Sequence, residues 1–318
     1  MNLLKVVGLS KHYYTGGGFL SVEKVSAVDW VSFSLAKGET LSLVGESGCG
    51  KSTLGRLVLR LEKPTDGKIF FAGEEITGWS GKKLNELRSK IQIIFQDTYS
   101  SLNPLHTVGT IIGEPLANFR VGTKIEQKRR VEELLELVGL NSEHITRYAH
   151  EFSGGQRQRI GIARALALHP QLVVCDEPVA SLDVSIQAQI LNLFIDLKKR
   201  YGLSYLFISH DLAAVSYISD RVAVMYLGKI VEVLKSKDLA VKAGHPYTRA
   251  LLAAVPVSDP RQREGRKVIV QGEPPDPVNP PVGCRFHPRC PHAVQKCRHI
   301  EPALQDVGEF HQVACHLT

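Results

Sequence analysis

Nine residues near the start of the chain, Gly45–Thr53 ("GESGCGKST"), bring glycines, a lysine and hydroxyls into one short stretch. They fit the spacing G-x-x-x-x-G-K-[ST] at Gly45, Gly50, Lys51 and Ser52, with Glu46, Ser47, Gly48, Cys49 and Thr53 completing the loop. Such a loop cradles phosphates: its backbone N–H groups and those of the following helix start point inward, and glycines let the backbone come close. Lys51 is placed to reach the β- and γ-phosphates, and the Ser52 hydroxyl to ligate Mg²⁺. A second chemical signal is "LVVCDEP", four apolar residues ending in Asp176 and Glu177. An acid at a strand end can hold the Mg²⁺ shell, and a second beside it can polarise an attacking water. Alone, two such acids would be read as capping a strand; beside the loop they point to a nucleoside triphosphate and its hydrolysis.

The elements that must carry these residues are legible as short apolar runs. "TLSLV" (40–44), "IQIIF" (91–95), "LVVCD" (172–176), "YLFIS" (205–209) and "RVAVMY" (221–226) read as strands, and helical patterns lie between several of them. "VEELLELVGL" (131–140) and "QAQILNLFIDLKKRYG" (187–202) have apolar residues at 3–4 spacing and a glycine at or near the end. Strands that look buried on both faces, alternating with helices, predict an α/β fold with a mainly parallel sheet.

A third motif identifies a family. "FSGGQRQRIGIARAL" (152–166) resembles the LSGGQ signature of ABC-type ATPases, with Phe152 at the first position. Ser153, Gly154 and Gly155 open a helix whose N-terminus suits an anion, and Gln156 completes the motif. The resemblance implies a P-loop ATPase with a helical subdomain (about residues 97–160), in which this helix start serves the ATP of a partner chain, so that two chains close head to tail around two ATPs. By the same resemblance Gln96 in "IIFQD" is similar to the Q-loop glutamine that senses Mg²⁺ and the attacking water. Ser181-Leu182-Asp183 is similar to the D-loop, His210 in "FISHD" to the switch histidine on the γ-phosphate, and Tyr13 in "LSKHY" to the aromatic that stacks on adenine, with Tyr14 an adjacent candidate. Cys49 inside the phosphate loop reads as a small residue that fits; the sharper expectation is a thiol whose pKa the loop N–H groups lower, so that a thiol reagent blocks ATP binding.

Two further stretches narrow the family. "GHPYTRALLAAVP" (244–256), with Pro246 placed to begin a helix, resembles the tail motif of ATPase subunits of oligopeptide, dipeptide and nickel importers, and "QDTYSSLNPLHTVGTII" (96–112) resembles the same family's segment after the Q-loop. With "LGRLVLRLEKPTDG" its form is most similar to the F-type member of the paired ATPases. The resemblance implies a second ABC ATPase subunit as heterodimer partner, two transmembrane permease subunits, and an extracytoplasmic solute-binding protein acting with the complex. The place this implies is the cytoplasmic face of the inner membrane. The chain thus divides into a nucleotide-binding domain, residues 1–243, and an importer-type extension, residues 244–318.

The extension holds "GEPPDPVNPPVG" (272–283), whose five prolines exclude a helix or central strand, and then Cys284, Cys290, Cys297 and Cys315. In a reducing compartment such a cluster more often means a metal than disulfides. The short C-x₂-C pairs usual for structural zinc are absent. A Cys₄ set can carry a [4Fe–4S] cluster, as the family tail implies; Zn²⁺ is the alternative, and free thiols the plain one. A cluster would staple a tail with too little core of its own.

Composition sets the outer bounds. The 318 residues, 43% hydrophobic and 22% charged, suit a soluble globular protein of two or three units. No apolar run reaches the roughly 18 residues of a membrane helix, and the start shows no signal peptide. The net charge of +7 is read as a solvated basic surface rather than a nucleic-acid footprint, since no long Lys/Arg block accompanies it. The expected function is therefore ATP hydrolysis powering di- or oligopeptide import. The same machinery would serve nickel, glutathione or another small solute. The rivals are a soluble ABC ATPase acting on nucleic acid, which no second module or coiled-coil insertion supports, and a metal- or redox-sensing regulator.

Overall fold

The computed structural model describes residues 2–17, 21–97, 101–255 and 272–318. The chain forms two compact units, one made of Ala36–Glu39 and Gly78–Ile208, the other of Asn2–Leu35, Thr40–Thr77 and Ser209–Thr318.

In the first unit the strands Ile91–Ile94, Leu172–Asp176 and Ser204–Ile208 run parallel and side by side, with Ile91 opposite Leu172 and Leu172 opposite Ser204. The central runs are apolar because helices cover the sheet on both faces; every residue from Leu172 to Cys175 and from Ser204 to Ile208 is buried. Three helices, Val108–Asn118, Lys124–Leu137 and Gly154–Leu166, pack on one another through Ile111, Ile112, Leu116, Val131, Leu134 and Ile160. The helix expected from Val131 begins seven residues earlier. Its first turns are charged and laced by the Lys128–Glu132 and Arg129–Glu133 pairs, which carry no apolar period to read. A capping box between Thr123 and Glu126 starts it. The helix Val184–Tyr201 ends at Gly202, whose φ of 62° is the left-handed cap that its closing glycine predicts.

The second unit contains two sheets. One orders the strands Ser21–Ala36, Asn2–Gly17, Asp66–Phe71 and Glu74–Glu75, with antiparallel pairing of Leu4 to Phe71 and of Phe71 to Glu74. The other places Thr40–Val44 parallel to Arg221–Tyr226, which turns through Leu227 and Gly228 into the antiparallel strand Lys229–Lys235. Both turn residues have positive φ, 41° and 83°, the twist a two-residue hairpin needs. Two strands from the end of the chain, His311–Val313 and Gln305–Gly308, extend this sheet antiparallel. The sheets are therefore more mixed than the sequence predicts: Asn2–Gly17, Ser21–Ala36 and Lys229–Lys235 lie outside the apolar runs read as strands, and Gln305–Gly308 and His311–Val313 are short and polar.

The extension is built into the second unit. Its helix Pro246–Ala254 opens with Pro246 as first residue, while His245 Nδ1 accepts from Tyr247 N at 3.0 Å. Glu232, fully buried, accepts from Gly244 N (2.6 Å), His245 N (3.0 Å) and His311 Nε2 (2.7 Å). Phe286 packs between Tyr226 and Tyr247, ring centroids 5.3 and 5.4 Å away. The tail thus shares an aromatic core that its own proline- and cysteine-rich sequence does not suggest. Residues 272–283 form neither helix nor strand. Among the described residues no helix is long and apolar enough to cross a membrane.

Candidate functional site

The phosphate loop joins the Thr40–Val44 strand to the helix Lys51–Val58. Gly50 stands at the helix N-cap with φ 103°, and a Cβ there would lie 2.0 Å from the Ala27 carbonyl oxygen, so no other residue fits. Lys51 is 5% exposed. Its ammonium donates to the carbonyls of Gly45 (2.8 Å) and Glu46 (2.9 Å), with Cys49 Sγ at 3.7 Å. Among the described residues this buried cation is held by neutral acceptors, which is what an anionic phosphate complements. The donor set therefore fits a nucleotide polyphosphate.

The loop is braced from outside. Gly228 N donates to Cys49 O at 2.9 Å, and Glu46 N to the Tyr247 hydroxyl at 2.8 Å. Arg289 forks onto the Glu46 carboxylate at 2.8 and 3.0 Å. Ser47 and Gly48 are exposed, and Ser52 and Thr53 half-buried. Cys49 is 3% exposed, and burial pushes its thiol up in spite of Lys51. That corrects the expectation of a thiol activated by loop N–H groups: the sulfur faces the packed side of the loop, where desolvation outweighs them.

Tyr13 lies on the strand Asn2–Gly17. Its phenol donates to the Glu62 carboxylate and also hydrogen-bonds the Thr53 side chain at the end of the loop. Burial and Glu62 raise its pKa. Tyr14 is 65% exposed.

In the first unit Asp176 ends the Leu172–Asp176 strand and Glu177 follows it, both half-buried. Glu177 has φ 47°, a left-handed conformation rare for glutamate, held by its N–H donating to Ile208 O at 2.9 Å. Strain of this kind persists where the surroundings over-determine it, commonly at functional sites. Gln96, exposed after the Ile91–Ile94 strand, donates through Nε2 to Glu177 Oε2 at 3.2 Å.

Ser153 caps the helix Gly154–Leu166, its Oγ accepting from Gln156 N at 3.4 Å while Gln156 Oε1 accepts from Ser153 N at 3.0 Å. Gly154 faces Leu182, and a Cβ on Gly155 would meet Ile186 Cγ2 at 2.5 Å. The signature helix start and the segment Ser181–Asp183 are thus packed together. Asp183 is the N-cap residue of Val184–Tyr201, and Gln187 fixes the preceding turn by donating to the carbonyls of Val179 and Leu182, both at 3.0 Å. His210 is exposed in the turn before Asp211, which caps Leu212–Ile218.

The four tail cysteines are neighbours. Burial pushes Cys284 up to about 11, with Cys297, Cys315 and Cys290 adding to the rise, and Cys290 is raised for the same reasons. Among the described residues, however, no three His, Cys, Asp or Glu side chains are grouped so that they could hold a metal ion. The expected [4Fe–4S] cluster, or Zn²⁺, thus finds no assembled ligand set.

Sequence reasoning missed Tyr247, Arg289 and Gln187 as supports of the site. Tyr247 and Arg289 act from 201 and 243 residues away from Glu46, a relation no local pattern carries.

Comparison with known proteins agrees with these motifs. Residues 28–180 match the family model described as ABC transporter, and residues 231–297 the one described as oligopeptide/dipeptide transporter, C-terminal region. The chain is 51% identical to the oligopeptide transport ATP-binding protein AppF of Bacillus subtilis, over 99% of this chain and 97% of that protein. It is 52% identical to the probable peptide ABC transporter ATP-binding protein y4tS of Sinorhizobium fredii, over 99% and 90%. Among solved structures it resembles the ATP-binding cassette MJ0796 in a dimeric post-hydrolysis state bound to ADP and Pi (TM-score 0.65, 27% identity, 73% of this chain and 98% of that one). It also resembles CbiO1 of Clostridium perfringens, part of the ABC transporter complex CbiONQ (TM-score 0.67, 28%, 76% and 91%).

Proposed function

This chain belongs to the ABC transporter family, as the ATP-hydrolysing subunit of a peptide importer, and from that premise we propose how its residues divide the work. The observation that carries the proposal is the buried Lys51 ammonium, held by the loop's own carbonyls and surrounded by no carboxylate partner of its own in the loop.

Lys51 and the backbone amides of Gly45–Thr53 bind the β- and γ-phosphates, and Tyr13 stacks on adenine. Ser52, Asp176 and Gln96 are the residues that would hold Mg²⁺, which supplies charge neutralisation on the phosphate oxygens when bound. Glu177 accepts a proton from the water whose oxygen attacks the γ-phosphorus as the bond to the leaving ADP oxygen breaks. Gln96 orients that carboxylate, and His210 stabilises charge on the transferring group. Ser153, Gly154, Gly155 and Gln156, with Asp183, serve the nucleotide of a partner ATPase subunit.

The residues divide as a nucleotide-binding domain (1–243, with a helical subdomain at about 97–160) and an extension (244–318). The finer reading is a heterodimer with a sister ATPase at the cytoplasmic face of the inner membrane, working with two permeases and an extracytoplasmic solute-binding protein on di- or oligopeptides. In the tail, only the mutual nearness of Cys284, Cys290, Cys297 and Cys315 speaks for a [4Fe–4S] cluster. Iron and acid-labile sulfide analysis of anaerobically purified protein decides it.

The test of function is to isolate the chain with its co-purifying membrane subunits, reconstitute them in vesicles, and measure ATP-dependent uptake of labelled di- and oligopeptides. Uptake lost in Lys51→Ala vesicles supports the reading. ATP hydrolysis with no peptide uptake, but with uptake of nickel or glutathione, replaces the cargo and keeps the engine.

A further inference from the structure

A carboxylate within an anion-binding loop is a liability, because Glu46 would repel the polyphosphate the loop is shaped to take. The chain answers it with Arg289, a residue of the extension that lies one position before Cys290. Arg289 is 9% exposed, and its guanidinium grips both Glu46 oxygens, Nη1 to Oε2 at 2.8 Å and Nη2 to Oε1 at 3.0 Å. Such a fork fixes direction as well as charge. The guanidinium is itself fixed: Nη1 also donates to the Tyr226 hydroxyl at 3.3 Å, and the group lies 5.8 and 6.0 Å from the Tyr226 and Phe286 ring centroids.

The backbone of the same residue is held by the extension too, since Glu46 N donates to Tyr247 Oη at 2.8 Å. Glu46 O is in turn one of the two carbonyls that seat the Lys51 ammonium. An unbroken chain of contacts therefore runs from Arg289 and Tyr247, through Glu46, to the phosphate-binding lysine.

We propose that Arg289 is a positioning residue for nucleotide binding: by neutralising and orienting Glu46 it holds the phosphate loop in its receptive form, so that the extension sets the affinity of the chain for nucleoside triphosphate. Arg289 acts on the site through Glu46 rather than on the reacting atoms. The inference rests on the nucleotide reading given above.

The test measures binding of a fluorescent ATP analogue to the full chain, alongside thermal melting. Arg289→Gln leaves the Glu46 carboxylate uncompensated, and its affinity is expected to fall about fivefold or more. The double variant Glu46→Gln/Arg289→Gln removes both charges and is expected to recover most of that affinity. Arg289→Lys, a cation without the fork, falls between wild type and Arg289→Gln.

Wild-type affinity in a folded Arg289→Gln variant overturns the proposal. So does weak binding in a folded double variant, since a residue needed only for packing would not be rescued by deleting the opposing charge. If Arg289→Gln does not melt cooperatively, the double variant, which leaves no unpaired buried charge, carries the decision alone. Failure of the wild-type chain to bind the analogue removes the nucleotide reading; wild-type binding that the Arg289 variants leave unchanged removes only this inference.

Discussion

Gln96 Nε2 stands 3.2 Å from Glu177 Oε2, across 81 residues of sequence. The contact joins a residue two past the end of one parallel strand to the residue just past its neighbour, and it holds a glutamate whose backbone is left-handed at φ 47°. A carboxylate fixed by an amide donor at a strained turn is suited to take one proton from one direction.

Glu177→Gln is expected to bind ATP as wild type does while hydrolysis falls about 10²–10⁴-fold, the usual contribution of a general base. Phosphate release and analogue binding, measured on the same sample, check it; undiminished release removes Glu177 from the role.

Gln96→Glu places a second carboxylate 3.2 Å from the first. Like charges so close raise the pKa of the pair. The base must be ionised to work, so the acid limb of the pH–rate profile is expected to move to higher pH, whereas Gln96→Ala lowers the rate without that displacement. A Gln96→Glu profile that superimposes on wild type counts against the pairing.

Lys51→Ala deletes the ammonium that the Gly45 and Glu46 carbonyls hold. Charge-assisted contacts of this type suggest a loss of about 10- to 100-fold in affinity for ATP. Titration calorimetry against Mg-ATP measures it, and a change of less than about threefold, within the ordinary spread of such contributions, is the contrary result.

Cys49 is expected to react slowly with maleimide at neutral pH, with or without Mg-ATP, because the thiol is buried and its pKa raised. Cys290, only partly buried, reacts before Cys49. Peptide mass spectrometry of a labelling time course distinguishes the two, and rapid ATP-sensitive labelling of Cys49 is the outcome that restores an activated thiol.

His245 is buried with its pKa lowered from 6.5 to about 4 by desolvation, and it is neutral when it caps the Pro246–Ala254 helix. The folded state therefore binds this proton less readily than the unfolded state. Its contribution is fully present above pH 6.5 and is lost as pH falls from 6.5 through about 4, an interval worth about 3 kcal/mol at most. Melting temperatures between pH 7.5 and 4.5 are expected to decline less steeply in His245→Asn, which keeps a capping acceptor but cannot be protonated. Parallel curves for the two proteins assign the acid lability elsewhere.

The phosphate loop, the Asp176–Glu177 pair, the signature helix and the parallel strands could be read from residue order. Each depends on local rules: glycines that let a backbone approach a phosphate, apolar runs covered on both faces, a serine and glutamine three positions apart that cap one another. The left-handed Glu177 and the Gln96 contact could not be read in this way. They arise from which strands lie side by side.

The extension shows the division most clearly. Its prolines and cysteines announced a segment unlike the rest, and suggested a metal where the described side chains offer no ligand set. Nothing in "CRFHPRCPH" announces that Arg289 reaches Glu46, or that Phe286 enters an aromatic core with Tyr226 and Tyr247. The sequence alone determined the chemistry of each motif, because that chemistry is written within a few neighbouring residues. Tertiary structure decided which distant groups brace the motifs, because a buried charge or ring takes its partner from whatever the folded chain brings within a few ångströms, at any separation along it.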